Sequence, residues 1–182
     1  MNSPIPSPSL IRQRGVSLVT TLVLLLAVTS LGISAMLTSR SEFMMAGNLQ
    51  FQSAALNEAE ASVETGEQWL AAGTNYLNGG FTTYSVATPY LFPINYMSTN
   101  SIDPLTMTWD DTNSLQVSGS TTKRYLIEML GKDKTLIPSS LNTGGRSVSG
   151  CTKVNVYRIV AYGSSARGSG RLVQSIFSKL SC

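Results

Sequence analysis

The chain contains no histidine and only two cysteines, and charged side chains make up 13% of its 182 residues. Histidine is the common general base at neutral pH and the commonest metal ligand, so its absence removes Ser–His and Cys–His nucleophile pairs and most zinc sites. No pair of carboxylates stands apart from a helix face to serve acid–base chemistry. The composition therefore argues against an enzyme, and neither a metal nor a cofactor is expected. Basic residues are scarce through the first two thirds. Arg12, Arg14 and Arg40 precede Lys123, whereas Glu42, Glu58, Glu60, Glu64, Glu67, Asp103, Asp110 and Asp111 fill the stretch between. Beyond Thr122 the sign reverses, with Glu128 and Asp133 set against ten lysines and arginines. Such a chain can meet neighbours head to tail through opposite patches.

Residues 15–39 carry no charge at all. About 20 apolar residues suffice for a helix to cross the hydrocarbon core. The leader MNSPIPSPSLIRQR is rich in proline and serine, and its Arg12 and Arg14 hold it on the cytoplasmic side of the membrane. Three readings compete for this segment. A secretory signal peptide needs an apolar stretch of about 7 to 15 residues and a small-residue cleavage site, which Ile33, Ser34 and Ala35 could supply. A plain anchor needs only the length. The third reading uses Gly15, which follows the arginines and directly precedes the apolar run.

That arrangement resembles the processing site of type IV pilins, cut on the cytoplasmic face after the glycine to make Val16 the new amino terminus. The following residues sharpen the resemblance. Glu42-Phe43-Met44-Met45-Ala46-Gly47-Asn48, then Ala55 and Glu58-Ala59-Glu60-Ala61, are similar to the amino-terminal region of the PilX family of minor pilins. The likeness covers about residues 12–70. It implies an α+β, pilin-like fold, with a long amino-terminal helix packed on a small antiparallel sheet. It also implies cleavage by a prepilin peptidase, methylation of the new amine and an inner-membrane assembly platform. The expected partners are other minor pilins, the major pilin, membrane lipid and a large tip adhesin, in support of twitching, adhesion or DNA uptake.

The pattern departs from the family at Thr20. Most pilins carry glutamate at that fifth mature position, where its partner is thought to be the amine of the subunit ahead. A carboxylate in the bilayer is costly without a partner, whereas a threonine hydroxyl can return to a helix carbonyl. Thr20 therefore suggests a subunit at the tip or start of the fibre and not in its repeating body. The other reading is a tolerated substitution.

The organisation expected is a leader over 1–15, a transmembrane half-helix over 16–38, its periplasmic continuation over 39–71, a variable connection over 72–122 and a sheet over 123–182. Leu49, Leu56, Val63 and Leu70 recur every seven residues with Ala59 and Gly66 between them, which predicts the buried stripe of the second half-helix. Glu58, Glu60, Glu64 and Glu67 are expected mainly away from it. Strands are predicted at 81–86, 105–109, 115–117, 125–130, 154–162 and 171–179. Asp103, Asp110 and Asp111 match no ordered calcium loop and read as turn residues.

The last two predicted strands flank a glycine- and serine-rich tract and read as a hairpin. If Cys151 faces Cys182, Tyr162 lies opposite Arg171 and the turn centres between Ala166 and Arg167. A disulfide between these cysteines fits an exported domain. The basic third raises a rival function, binding of DNA by Arg158, Arg167 and Arg171 together with Lys123, Arg124 and Arg146. They form no clustered run, and few aromatics interleave with them, so a solvated face or contact with an acidic neighbour is favoured. A minor pseudopilin of type II secretion is the other alternative, although capping pseudopilins generally carry a larger inserted domain.

Overall fold

The computed structural model describes residues 16–135 and 152–181. Gly15, Arg146, Cys151 and Cys182 lie outside the described residues, and with them the glycine of the expected cleavage site and the expected disulfide. The first helix, α1, runs over Val16–Ala71. Several features permit this length. No proline occurs between Pro8 and Pro89, and the hydroxyls of Thr20, Ser30, Ser34 and Thr38 each donate to a carbonyl three or four residues earlier, hiding polar groups on an apolar helix. The chain divides into two compact units, residues 1–47 and 48–182.

In the first unit the described residues form one helical segment whose apolar side chains are exposed, Leu18, Leu22, Leu25 and Leu31 among them. Its best window has mean hydropathy 2.3, and the helix is long and apolar enough to cross a membrane.

The second unit is α+β. It contains the remainder of α1, two short 3-10 turns at Asn75–Leu77 and Gly79–Phe81, β1 (Leu91–Phe92), α2 (Tyr96–Thr99), β2 (Leu115–Gln116), β3 (Lys123–Thr135), β4 (Lys153–Ser164) and β5 (Gly170–Leu180). These strands form a five-stranded sheet in the order β1-β3-β4-β5, with β2 also paired to β3. The sheet is mixed, not antiparallel throughout, because β1 runs parallel to β3. Pro89 and Pro93 bracket β1 and confine it to two residues, and the Ile127 N–H donates to the Tyr90 carbonyl at 2.8 Å.

Residues 125–129 of β3 are buried without interruption, since both sheet faces are covered. Tyr125, Ile127 and Met129 point to the side of α1 and pack with Leu70, Tyr157 and Ile159. Leu126 points to the opposite side, where Phe92, Met97 and Val160 complete a second core beneath the connecting region.

Several expectations are corrected. Residues 81–86 do not form a strand: the chain closes a 3-10 turn at Gly79–Phe81, and a side chain on Gly80 would sit 2.9 Å from the Leu91 Cβ. Residues 105–109 do not form one either, because the Asp103 carboxylate accepts the Leu105 N–H at 2.9 Å and turns the chain. The heptad stripe holds only in part. Val63 and Leu70 are buried, but Leu49 and Leu56 are exposed, and the seam consists of Ala55, Ala59, Ser62, Val63, Gly66 and Leu70. Small side chains let the sheet approach the helix backbone, so the contact follows their spacing.

The hairpin register also differs by one residue. Tyr162 lies opposite Leu172, not Arg171. The Ser165 N–H donates to the Ser169 carbonyl and the Gly168 N–H to the Ser165 carbonyl, both at 2.9 Å, which closes a three-residue loop of Ala166, Arg167 and Gly168. Gly168 takes φ +76°, the left-handed conformation such a loop requires at its last residue. An odd loop centres the turn on Arg167, whereas the expected cysteine register assumed an even one.

Candidate functional site

Among the described residues no group of three or more histidine, cysteine, aspartate or glutamate side chains is placed to hold a metal ion. The chemically distinctive features are instead the surface of α1 and the contacts that hold its second half on the sheet. Thr20 Oγ1 donates to the Val16 carbonyl at 3.1 Å and to the Ser17 carbonyl at 2.9 Å. Its hydroxyl is thus turned back onto the helix and adds no charge to an apolar surface. The exposed apolar residues continue past Arg40 at Phe43, Met44, Met45 and Leu49.

Within the second unit, side chains from the sheet grip α1 along its length. At the hairpin tip the Arg167 guanidinium lies 4.7 Å from the centre of the Phe51 ring, and Arg171 Nη2 donates to Gln52 Oε1 at 2.5 Å. Lower down, Lys123 Nζ lies 3.2 Å from the Glu58 carboxylate, which also accepts the Thr122 hydroxyl at 3.2 Å. Ser175 Oγ donates to Glu67 Oε1 at 2.5 Å. Lys179 Nζ donates to the Ala71 carbonyl at 2.6 Å and sits 4.8 Å from the centre of the Tyr76 ring. A cation there satisfies a terminal carbonyl and complements the negative end of the helix dipole. Glu58 and Glu67 therefore face the sheet, a correction to the expectation that the helix glutamates point mainly away, while Glu60 and Glu64 are exposed.

Arg158 lies on the opposite sheet face, across the ladder from Glu128. The two form an ion pair in which the Glu128 side chain is 3% exposed and that of Arg158 27%. Glu128 also accepts the Met97 N–H at 3.2 Å, which ties α2 to the sheet. Arg158, Arg167 and Arg171 are thus divided between two faces, and each has a partner within the chain. Arg124 is likewise paired with Asp111. The Asp110 carboxylate accepts the hydroxyl and backbone N–H of Thr112, and these bonds hold its pKa below the ordinary value. Asp103 and Asp110 are thus engaged in local turn contacts and Asp111 in the pair with Arg124.

Burial dominates two other titrations. Desolvation pushes the Tyr125 phenol up to about 12, with Tyr90 adding to the shift. Desolvation also raises Tyr157 to about 12, against a smaller opposing contribution from Asn155. The Tyr157 hydroxyl donates to the Tyr76 carbonyl at 2.5 Å and fixes the connection to the sheet.

Two adjoining cavities, of about 360 and 320 Å³, open between residues 103–109 and the β4–β5 face. The first is lined by Trp109 and Tyr162, whose rings stack at 5.6 Å. The sequence does not reveal this groove, because its walls depend on a turn at 103–109 where the residue pattern predicts a strand over 105–109. No family model, curated protein or solved structure matches the chain.

Proposed function

We propose that the chain is a minor pilin: a membrane-anchored structural subunit, cut between Gly15 and Val16, that joins other pilins at or near the tip of a type IV fibre and promotes its assembly. The observation that carries this reading is a single helix, Val16–Ala71, whose first part is apolar and exposed and whose last part packs on a sheet through small residues. An exposed apolar helix needs lipid before assembly, and apolar neighbours after it. Arg12, Arg14 and Gly15 stand immediately before that helix, in the order a prepilin peptidase site uses. The Thr20 hydroxyl bonds support a tip position, because this subunit offers no carboxylate to an amine ahead of it. DNA binding is less favoured, since Lys123, Arg124, Arg158, Arg167 and Arg171 all have partners within the chain.

The test is the amino-terminal residue and mass of the protein purified from membranes, with and without the prepilin peptidase. A chain that begins at Val16 only when the peptidase is present supports the proposal. A chain beginning at Met1 in both strains, or near Met36, overturns it.

A further inference from the structure

Arg40 closes the charge-free run of residues 15–39 and is exposed on α1. Residues three and four apart on a helix are surface neighbours, and for Arg40 all four are apolar: Met36, Leu37, Phe43 and Met44. Each of them is more than half exposed. Among the described residues no hydrogen bond or ion pair engages the Arg40 guanidinium. Glu42 does not supply one, because two positions along a helix place it on another side. An unpaired cation thus stands in the middle of an apolar strip.

Axial distance decides what that cation meets. From Val16 to Arg40 the unbroken helix rises about 36 Å. The hydrocarbon core of a bilayer is about 30 Å thick, and each polar layer adds about 5 to 7 Å. Arg14 holds the start of the helix at the near boundary, since a guanidinium inside hydrocarbon is costly. Arg40 then lies about 6 Å past the far boundary, at the depth of the lipid headgroups. A helix tilt of about 20° shortens the span by about 2 Å and leaves Arg40 in the same layer. Met36 and Leu37, one turn back, border the hydrocarbon, so the aliphatic stem of Arg40 has apolar cover while its head stays in the polar layer.

We propose that Arg40 binds the phosphate of a phospholipid in the leaflet far from the leader. A planar guanidinium matches two phosphate oxygens at once, which a lysine does not. Anionic phospholipids are the preferred ligand, because their net charge adds to the contact. A carboxylate on a neighbouring helix is the poorer partner: helices in a bilayer approach closely through small residues, and the four neighbours of Arg40 are large. The contact rests on the membrane-anchored state proposed above and not on the fibre.

The experiment places the full-length chain, with its arginines isotope-labelled at Cζ, in vesicles of phosphatidylglycerol and phosphatidylcholine and measures carbon–phosphorus dipolar dephasing by solid-state NMR. A guanidinium bonded to phosphate brings Cζ within about 5 Å of phosphorus. Arg12 and Arg14 face the near leaflet, so the quantity read is the dephased signal that disappears in Arg40→Gln, and the expected loss is that of one arginine. Arg40→Lys keeps the charge, removes the labelled carbon and should lose the same signal. A loss confined to Arg40→Gln traces to displacement of Arg12 and Arg14 and overturns the proposal. In bilayers of a phosphate-free galactolipid with inorganic phosphate in the buffer, no signal dependent on Arg40 is expected. Dephasing there would assign Arg40 to free phosphate and overturn the lipid contact. Dephasing that persists unchanged in both variants overturns the contact and leaves the anchor standing, whereas no dephasing at any arginine overturns both. Cleavage after Gly15 does not enter the measurement, so the contact and the pilin reading fail separately.

Discussion

Gly163 of β4 meets the backbone of α1 directly: a methyl group added to it would lie 2.3 Å from both the Ala55 carbonyl oxygen and the Ala59 amide nitrogen. Neither atom is the far end of a movable side chain. Gly163→Ala should therefore separate helix from sheet at this level and cost about 3 kcal/mol, the upper part of the range for overpacking. Thermal unfolding of the detergent-solubilised chain measures it. Gly47→Ala is the control, since nothing lies within 4 Å of its added methyl group, and it should be neutral or stabilising by up to about 1 kcal/mol. Equal losses in both variants would remove the close-approach argument.

The same contact explains what could be read in the sequence. Val63 and Leu70 were legible as buried because large apolar residues at helical spacing seek a core. Leu49 and Leu56 share that period yet remain exposed, because the sheet touches α1 through Ala55, Ala59 and Gly66, where small residues let the two backbones approach. The long strands were legible from β-branched and aromatic runs. The two-residue β1 was not, because its pairing comes from distant β3 and not from local preference. The hairpin appeared in the right place with its register one residue off, since loop parity is set by the left-handed Gly168. Of the site, Thr20 with its return to a helix carbonyl could be named in advance, as could the basic residues, but not the partners of the basic residues on α1 and β3.

Arg158 should be indispensable to Glu128 in a way that a surface pair is not. Its removal in Arg158→Met leaves a carboxylate whose side chain is 3% exposed with the Met97 N–H as its remaining bond in this network. Breaking one side of a buried pair costs about 3 to 5 kcal/mol, whereas an apolar pair of similar volume can be neutral. The partial exposure of Arg158, 27% of its side chain, places the expected loss at the lower end. Denaturant unfolding of Arg158→Met, Glu128→Leu and the double variant should show most of the loss recovered in the double. Strictly additive losses would mean that the pair is not coupled.

Alkaline pH should unfold the second unit through Tyr125 and Tyr157. Each phenol rises from an ordinary value of 10.0 to about 12 on folding, so the folded state favours the neutral form. The stabilisation is complete below pH 10.0 and is lost as pH climbs through about 12, because the unfolded chain ionises first. Melting temperature followed with tyrosinate absorbance should stay level up to pH 10.0 and then fall. Tyr157→Phe should make that fall shallower while lowering stability at neutral pH, since the bond to the Tyr76 carbonyl is lost. An unchanged alkaline limb in the variant would rule out Tyr157 as a contributor.

If the fibre reading holds, Thr20 should control where the subunit sits, because its hydroxyl is already bonded to Val16 and Ser17. Thr20→Glu replaces a self-satisfied hydroxyl with a carboxylate, which the bilayer disfavours unless a cation meets it. The free amine of a subunit ahead is such a cation, and only a subunit within the repeating body has one. Thr20→Glu should therefore raise the number of copies per fibre several-fold above that of the native chain, at equal amounts in the membrane. Counting tagged subunits on sheared fibres against membrane levels gives the ratio. Thr20→Val is the informative companion, because it removes the hydroxyl without adding charge and should leave the copy number unchanged. Were Thr20→Val to change the count as strongly as Thr20→Glu, local packing rather than charge would govern placement, and the tip assignment would lose its basis.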